Sequence, residues 1–141
     1  ANVTIESGTI LKGPCYIGSN SYVGNNVLIR NYSAIGPDSI VGYGSELKNC
    51  VLFGKNDIGR LSFVGDSVMG EGASSGPGLT TVNHTVDYTP VTCESDSGSV
   101  ETGLAKLGAF VGDNVAIGAR HVLGPGAILK HGRMIPDSTT I

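Results

Sequence analysis

Apolar residues recur every six positions along most of this chain. An aliphatic or aromatic residue opens each of nine consecutive hexads, at Ile5, Leu11, Ile17, Val23, Ile29, Ile35, Val41, Leu47 and Phe53. After an interruption the same spacing returns, at Val111, Ile117, Leu123, Leu129 and Ile135. Glycine often follows the opening residue, and the fifth position is usually small, as at Cys15 and Ser33. A period of six matches neither the 3.6-residue turn of a helix nor the alternation of a simple strand.

The hexads predict short parallel strands that are joined by tight turns. Each opening residue then points inward, glycine adopts backbone conformations that other residues avoid, and the small fifth residue fits a crowded corner. Hexapeptide repeats are typical of parallel β-helices, and three hexads complete one coil of a triangular prism. The sequence therefore predicts an all-β solenoid with a narrow aliphatic core.

The loss of rhythm in the middle of the chain predicts a loop that leaves the prism. We expect a single domain over residues 1–141, with regular coils over 5–58, irregular coils over 59–81 and C-terminal coils over 111–141. Residues 82–110 form the expected excursion loop, because they include the polar stretch CESDSGSVETG. Loops longer than about 12–15 residues in a compact domain are usually functional or disordered. The chain starts almost directly in a repeat and ends at Ile141, the next opening position, which is typical of a piece of a longer protein.

Composition and charge narrow the classes of partner. Apolar residues make up 40% of the chain, charged residues 15%, and glycine accounts for 22 of 141 residues. The net charge of −3 argues against nucleic acid as a partner. No apolar run approaches the ~18 residues of a membrane span, and the N-terminus lacks the pattern of a signal peptide. The three cysteines form no CxxC motif, so we expect reduced thiols, a cytoplasmic location and no metal site.

Two motifs carry a specific resemblance. The hexads resemble those of the hexapeptide-repeat transferases, and residues 41–112 are similar to the acetyltransferase domain of bifunctional sugar-1-phosphate nucleotidylyltransferases. Archaeal members are the most similar, through SFVGDSV at 62–68 and KLGAFVGDNV at 106–115. The resemblance implies a left-handed parallel β-helix, a homotrimer with sites between the prisms, and use of acetyl-CoA. Nothing in this chain resembles the glycine-rich motif of the nucleotidylyltransferase domain.

The resemblance implies a substrate site built from basic residues. Arg30, in LIRNYSAIG, and Lys48, in SELKNC, match the family's Arg and Lys that hold the sugar phosphate. The alternative is that both are solvated side chains on a prism face. The family's catalytic stretch H-L-(S/T)-Y-x-G-D corresponds to RLSFVGD, which places Arg60 and Asp66 at the substrate. Arg60 cannot act as a general base, because its guanidinium has no acceptor and keeps its proton.

The cofactor motif departs from the family as well. The family's G-A-G-T is Gly76-Pro77-Gly78-Leu79 here, and Pro77 has no backbone N–H to donate. The loss of one such donor to a developing oxyanion typically costs about 10²–10³ in rate. The resemblance still implies that acetyl-CoA lies near Gly76, Gly78 and Ala109.

A replacement for the missing base follows soon afterwards. The family's Asn-Tyr pair is Asn83-His84 here, so Asn83 is expected to orient the amine or polarise the thioester. His84 has the pKa range to take a proton from an ammonium group, if the loop turns it inward. The alternative is an ordinary histidine of a surface loop. His121 and His131 receive no role.

Three functions remain open at this point. The first is an acetyl-CoA-dependent N-acetyltransferase that acts on an amino-sugar phosphate with altered catalytic groups. The second is a catalytically degenerate β-helix that trimerises its parent nucleotidylyltransferase. The third is a regulatory site that binds sugar phosphate without turnover. Asn83, Asp66, Arg30 and Lys48 favour the binding of a ligand, and the sequence as a whole favours the first function.

Overall fold

A computed structural model describes residues 1–138 of the chain, so Ile141, expected as a further opening residue, lies outside the described residues. Twenty-one strands and no helix occur in this part of the chain. In chain order the strands are β1 (Thr4–Ile5), β2 (Ile10–Leu11), β3 (Cys15–Ile17), β4 (Tyr22–Val23), β5 (Leu28–Ile29), β6 (Ser33–Ile35), β7 (Ile40–Val41), β8 (Glu46–Lys48), β9 (Val51–Leu52), β10 (Asp57–Ile58), β11 (Phe63–Gly65), β12 (Val68–Met69), β13 (Ser74–Ser75), β14 (Thr80–Thr81), β15 (Thr92–Ser95), β16 (Gly98–Glu101), β17 (Phe110–Val111), β18 (Ala116–Ile117), β19 (Val122–Leu123), β20 (Ile128–Leu129) and β21 (Met134–Ile135).

Three parallel sheets form the sides of a prism, which confirms the predicted β-helix. Sheet A has the order β1-β4-β7-β10-β13-β18-β21, sheet B the order β2-β5-β8-β11-β14-β19, and sheet C the order β3-β6-β9-β12-β17-β20. Apart from β15 and β16, successive strands belong to successive sheets, so the chain turns a corner after each of them. The seven strands of sheet A correspond to about seven coils.

The core is a narrow column of aliphatic side chains along the prism axis. Buried members include Val23, Ile29, Ile35, Val41, Leu47, Leu52, Ile58, Val64 and Met69. The openers Ile5 and Leu11 are 44% and 43% exposed, because they belong to the first coil and are covered on one side only.

Buried serines hold the corners together. Ser45 Oγ donates to the Gly59 carbonyl at 3.1 Å and accepts from the Ser62 amide at 3.2 Å. Ser62 repeats the pattern one coil later, because its Oγ accepts from the Leu79 amide at 3.2 Å. The hydroxyl thus links consecutive turns, which explains why the fifth hexad position is small and often polar.

The structure corrects the ninth hexad. Leu52 is the buried residue, with 1% exposure, whereas the predicted opener Phe53 is 62% exposed. Leu52 follows Leu47 by five positions rather than six. The corner is shorter because β8 runs on to Lys48, and Asn49 then turns the chain directly with a positive φ of 49°. The repeat therefore shortens one hexad earlier than the sequence suggests.

The same shortening recurs one coil later. Val64 of β11 and Met69 of β12 are also five residues apart, and both are buried. Ile58 pairs with Val41 on one side and with Ser75 on the other, so these two coils have 17 residues each. Residues 59–81, whose sequence rhythm is ragged, thus form strands in register with the coils before them.

The excursion leaves the prism after β14 and returns at β17. Its centre is an antiparallel hairpin of β15 and β16, in which Cys93 pairs with Val100. Val91 and Cys93 are buried where the hairpin approaches the backbone of Gly126. Lys130 Nζ binds Asp96 Oδ2 at 2.6 Å, so the hairpin packs on a C-terminal coil of its own chain.

The three cysteines are free thiols. Cys50 is buried, and burial raises the pKa of its thiol to about 12. This thiol is therefore unreactive near neutral pH, since the thiolate is the nucleophilic form.

The corrected register makes a direct prediction about stability. Leu52→Ala should lower the free energy of unfolding by about 2–5 kcal/mol, because it opens a cavity in the aliphatic column. Phe53→Ala should change it by less than about 1 kcal/mol, because that ring is mostly in solvent. Urea denaturation followed by circular dichroism measures both. A larger loss for Phe53→Ala would restore the uninterrupted hexad register.

Candidate active site at the corner between sheets B and C

The corner at which sheet B passes into sheet C, here the B–C corner, combines three unusual features. Both five-residue steps occur here, and the excursion departs from it. Asn49, Asp66 and Asn83 follow one another at 17-residue intervals. Because the coils at this level also have 17 residues, these three side chains occupy equivalent positions in consecutive coils.

Asp66 is the centre of this group. Its Oδ2 accepts hydrogen bonds from Lys48 Nζ at 2.9 Å and Asn83 Nδ2 at 2.6 Å. Its Oδ1 accepts from Asn49 Nδ2 at 2.7 Å. The side chain of Asp66 is 7% exposed and that of Lys48 is 18% exposed. Burial by itself would raise the pKa of Asp66, but the hydrogen bonds from Asn49, Lys48 and Asn83 outweigh it and lower that pKa below its usual range.

The main chain of Asp66 is also held by hydrogen bonds. Asp66 has a positive φ of 48°, its amide donates to the Lys48 carbonyl, and its carbonyl accepts from the Gly108 amide at 2.8 Å. The Leu107 amide donates to the Asn83 carbonyl at 2.9 Å. The returning end of the excursion is therefore hydrogen-bonded to both Asp66 and Asn83.

The orientation of the Asn83 amide follows from its partner. An ionised carboxylate only accepts hydrogen bonds, so the amide nitrogen of Asn83 must face Asp66. The Asn83 Oδ1 is then left as an acceptor directed away from the carboxylate. This geometry suits an amine donor better than it suits a developing oxyanion, which needs donors.

His84 is held in one tautomer beside this cluster. Its Nδ1 lies 2.9 Å from the Thr85 carbonyl, which can only accept, so Nδ1 carries the hydrogen. In the neutral ring, Nε2 is then an acceptor, and nothing within residues 1–138 donates a hydrogen bond to it. The imidazole stacks on the Tyr88 ring with centroids 4.5 Å apart and planes 10° apart. Thr85 Oγ1 donates to the Thr89 carbonyl at 3.0 Å, which closes the short turn that carries both rings.

Arg30 lies at the same corner, one coil before Lys48. Its amide donates to the Leu47 carbonyl at 2.7 Å, and its Nη1 binds Glu46 Oε1 at 3.0 Å. Arg30 and Lys48 thus each face a carboxylate of the protein, and each keeps further N–H groups for a ligand.

Three of the remaining candidate residues lie away from this corner. Arg60, Gly76 and Gly78 lie where sheet A passes into sheet B, here the A–B corner, at the opposite end of β11 from Asp66. The Gly78 amide donates to the Arg60 carbonyl at 3.0 Å, so these turns stack on each other. Ala109 does lie near the B–C corner, but it is buried and its amide donates to Ser67 Oγ at 2.9 Å.

Sequence reasoning missed three residues of the site. Asn49 could have been found from the 17-residue interval that links it to Asp66 and Asn83. The second is Phe63, whose ring lies against Gly65: a Cβ at Gly65 would come 2.5 Å from Phe63 Cζ and 3.2 Å from Asn83 Nδ2. Tyr88 carries no local sequence signal, since its contact with His84 depends on the shape of the loop.

Comparison with known proteins identifies the fold and then the family. The acetyltransferase domain of PglB from Neisseria gonorrhoeae has a TM-score of 0.71 and 17% identity, over 95% of this chain and 54% of that chain. This likeness confirms the left-handed parallel β-helix. The sequence profile of the GMPPB C-terminal domain matches residues 2–98, so the chain belongs to that family.

Relatives carry transferase names. The "Uncharacterized acetyltransferase YaiX" of Escherichia coli O6:K15:H31 is 34% identical over 130 residues, which is 92% of this chain and 56% of that protein. The bifunctional sugar-1-phosphate nucleotidylyltransferase/acetyltransferase of Sulfurisphaera tokodaii is 35% identical over 135 residues, 95% of this chain and 34% of that protein. This chain spans about half the length of the first relative and a third of the second. The resemblance drawn from the sequence motifs is confirmed.

Within residues 1–138, no helix has the length and apolarity of a membrane-spanning segment. No group of three or more His, Cys, Asp or Glu side chains within these residues is arranged to hold a metal ion.

The lowered pKa of Asp66 makes stability depend on pH. Its contribution is complete above the ordinary value of 3.8 and is lost as the pH falls through the lowered pKa. From pH 6 to pH 3, wild-type protein should lose more unfolding free energy than Asp66→Asn, as measured by urea denaturation. Asp87, whose pKa is also lowered, is present in both proteins and cancels. Equal slopes for wild type and Asp66→Asn would contradict the role of Asp66.

Proposed function

We propose that this chain is an acyltransferase-type domain of a sugar-1-phosphate nucleotidylyltransferase-related protein, which transfers an acetyl group from acetyl-CoA to an amino-sugar phosphate. The observation that carries the proposal is the Lys48–Asp66–Asn83 cluster beside His84. Two named relatives, an acetyltransferase and a bifunctional nucleotidylyltransferase/acetyltransferase, support the same chemistry.

The proposed roles follow from which groups remain free. Lys48 and Arg30 bind the phosphate, because each retains N–H donors beyond its ion pair with the protein. Asn83 Oδ1 accepts a hydrogen from the amine and orients its lone pair. His84 Nε2 takes the proton that the ammonium group must lose before the nitrogen can attack. Asp66 is a positioning residue, since its carboxylate is fully engaged by Lys48, Asn49 and Asn83.

Acetyl-CoA, when bound, supplies the activated acetyl group. The main-chain groups expected to hold it do not fit this task within one chain. Pro77 has no N–H, the Ala109 amide is engaged by Ser67, and Gly76 and Gly78 lie at the A–B corner. We therefore assign no residue of this chain to the thioester carbonyl.

The lack of a residue assigned to the thioester carbonyl favours a second candidate function. A site that holds the sugar phosphate but offers no donor to the thioester would bind without turnover. The chain would then act as a regulatory or trimerising domain of its parent nucleotidylyltransferase.

We further propose that the domain is a homotrimer and that the outer face of sheet C lies within its interface. The outward residues of this sheet are all apolar: Tyr16, Ala34, Val51, Val68, Phe110 and Ile128. The outer faces of the other two sheets include charged residues, Asp57 in sheet A and Glu46 in sheet B. Four of these residues are exposed and Ala34 and Val68 are half-buried. Such an apolar row across six strands is typical of a surface that another subunit covers.

The decisive experiment on the reaction combines binding with turnover. Calorimetry with glucosamine-1-phosphate, galactosamine-1-phosphate and acetyl-CoA should show binding of a sugar phosphate and of acetyl-CoA. His84→Ala should lower kcat by about 10²–10⁴ and leave the Kd of the sugar phosphate unchanged, because the base acts on the reacting nitrogen. His131→Ala is the matched control, since His131 is exposed.

Different results would separate the two functions. Sugar-phosphate binding without acetyl-CoA binding would favour the regulatory function. Equal turnover for His84→Ala and wild type would exclude His84 as the base.

Sedimentation velocity tests the proposed interface. Phe110→Glu should convert the trimer into a monomer, because it places a charge within the apolar row of sheet C. Ile40→Glu places the same charge on sheet A at a residue of similar exposure, 45% against 38%, and should leave the trimer intact. A wild-type monomer at micromolar concentration would contradict the proposal.

A further inference from the structure

The short turn that follows Asn83 projects from the prism. Val86, at its tip, is 98% exposed, and Tyr88 is 60% exposed. The start of the turn is fixed, because the Asn83 carbonyl accepts a hydrogen bond from the Leu107 amide at 2.9 Å. Beyond this point the path of residues 84–89 depends mainly on contacts within the turn itself.

One carbonyl oxygen links the histidine ring to the backbone of this turn. The Thr85 carbonyl accepts from His84 Nδ1 at 2.9 Å and from the Tyr88 amide at 3.1 Å. Side chains close the turn, since Thr85 Oγ1 donates to the Thr89 carbonyl and Thr89 Oγ1 donates to Asp87 Oδ1 at 2.9 Å. The imidazole and the main chain of Tyr88 share an acceptor, so the placement of one depends on the other.

Tyr88 occupies an unfavourable backbone conformation. Its φ is +57°, in the left-handed region that glycine tolerates and bulky residues avoid. Residues held in such conformations persist only where their surroundings determine them, and they cluster at functional sites. Burial of the ring does not explain the strain, because Tyr88 stays 60% exposed. What the conformation secures is the stack on His84, with centroids 4.5 Å apart and planes 10° apart.

The two contacts constrain the imidazole in complementary ways. The hydrogen bond at Nδ1 selects the tautomer, and the stack restricts rotation of the His84 ring out of its plane. Both contacts persist when Nε2 takes a proton, because the Thr85 carbonyl accepts from Nδ1–H in the neutral and the protonated ring alike. Proton uptake therefore requires no rearrangement of the turn, which is the property of a preorganised base.

We propose that Tyr88 is a positioning residue for the base: its ring, placed by the strained turn, keeps the imidazole of His84 in one orientation. In the step that it supports, the lone pair of Nε2 forms a new N–H bond as the N–H bond of the substrate ammonium breaks. The catalytic consequence rests on the proposed function. The orientation of the ring does not, so it can be measured without turnover.

Nitrogen-15 spectra of the histidine side chains test the orientation of the ring in the full 141-residue chain. At about pH 9 an ordinary imidazole is neutral, and its protonated and unprotonated nitrogens have distinct shifts. Signals that disappear in His84→Ala identify this histidine among the three. Wild type should show the Nδ1–H tautomer alone. Tyr88→Gly should show both tautomers, because without the stack the ring can turn away from the Thr85 carbonyl.

Tyr32→Gly is the matched control. Tyr32 is also an exposed tyrosine with a positive φ, 68% exposed with a φ of +62°, and it stacks on no ring within residues 1–138. Glycine adopts this φ without a steric penalty, so the two variants should have similar midpoints in urea. Only Tyr88→Gly should change the spectrum of His84.

Turnover then connects the orientation of the ring to the reaction. Tyr88→Gly should lower kcat by about tenfold to 100-fold, because a misplaced catalytic group slows the chemical step. The KM of the sugar phosphate should stay unchanged, since Arg30 and Lys48 still hold the phosphate. Tyr88→Phe should retain the wild-type kcat and spectrum, because the stack uses the ring and not its hydroxyl group.

Two results would overturn the inference. One is a wild-type spectrum of His84 in Tyr88→Gly, which would show that the Thr85 carbonyl alone holds the ring. The other is an equal loss of kcat in Tyr88→Phe and Tyr88→Gly, which would assign the effect to the hydroxyl group. A failure of the proposed function looks different: the spectrum changes as expected, but His84→Ala turns over as fast as wild type. The positioning of the ring then stands, and the assignment of His84 as the base is wrong.

Discussion

Every part of this molecule depends on the hydrogen bonds between consecutive coils. Strands this short cannot persist alone, so each coil must place its amides and carbonyls opposite those of the next. A corner can therefore lose a residue only if the strands on both sides of it stay in register with the next coil. The two five-residue steps, from Leu47 to Leu52 and from Val64 to Met69, meet this requirement, because Leu47 pairs with Ile29 and Val64, and Leu52 pairs with Ile35 and Met69. The polar cluster follows, because the shortened corners bring Asn49, Asp66 and Asn83 into line.

This alignment places polar side chains of consecutive coils within hydrogen-bonding distance of one another. A buried carboxylate is costly unless it is paired and hydrogen-bonded, and Asp66 receives two donors from the coil before it and one from the coil after it. Two of the donor residues are in turn held by main-chain bonds, since the carbonyls of Lys48 and Asn83 accept from the amides of Asp66 and Leu107. The cluster is thus rigid before any ligand binds, which is what a site that orients an amine requires.

The sequence predicted the solenoid because a buried aliphatic column leaves a period that no helix or simple strand shares. It misplaced Phe53, because an aromatic residue in the right hexad position looks like a core residue until the register is known. It identified Lys48, Asp66 and Asn83 by resemblance, but it could not show that Arg60 and Gly76 lie at a different corner. That separation depends on which strands lie between them in space. The Tyr88 stack depends on the path of the loop, which local sequence does not determine.

The pairing of Thr81 with Leu123 has a wider meaning. These residues are 42 positions apart, yet they are neighbours on the same sheet, as if the chain between them were one ordinary coil. The stacking of the coils therefore depends only on where the excursion departs and returns, and not on its length. Such a junction lets a scaffold exchange one loop for another while the coils on either side stay as they are. Substitutions in the loop that carries His84 can thus accumulate without disturbing the coils, whereas any substitution at Asp66 must fit the stacked repeat.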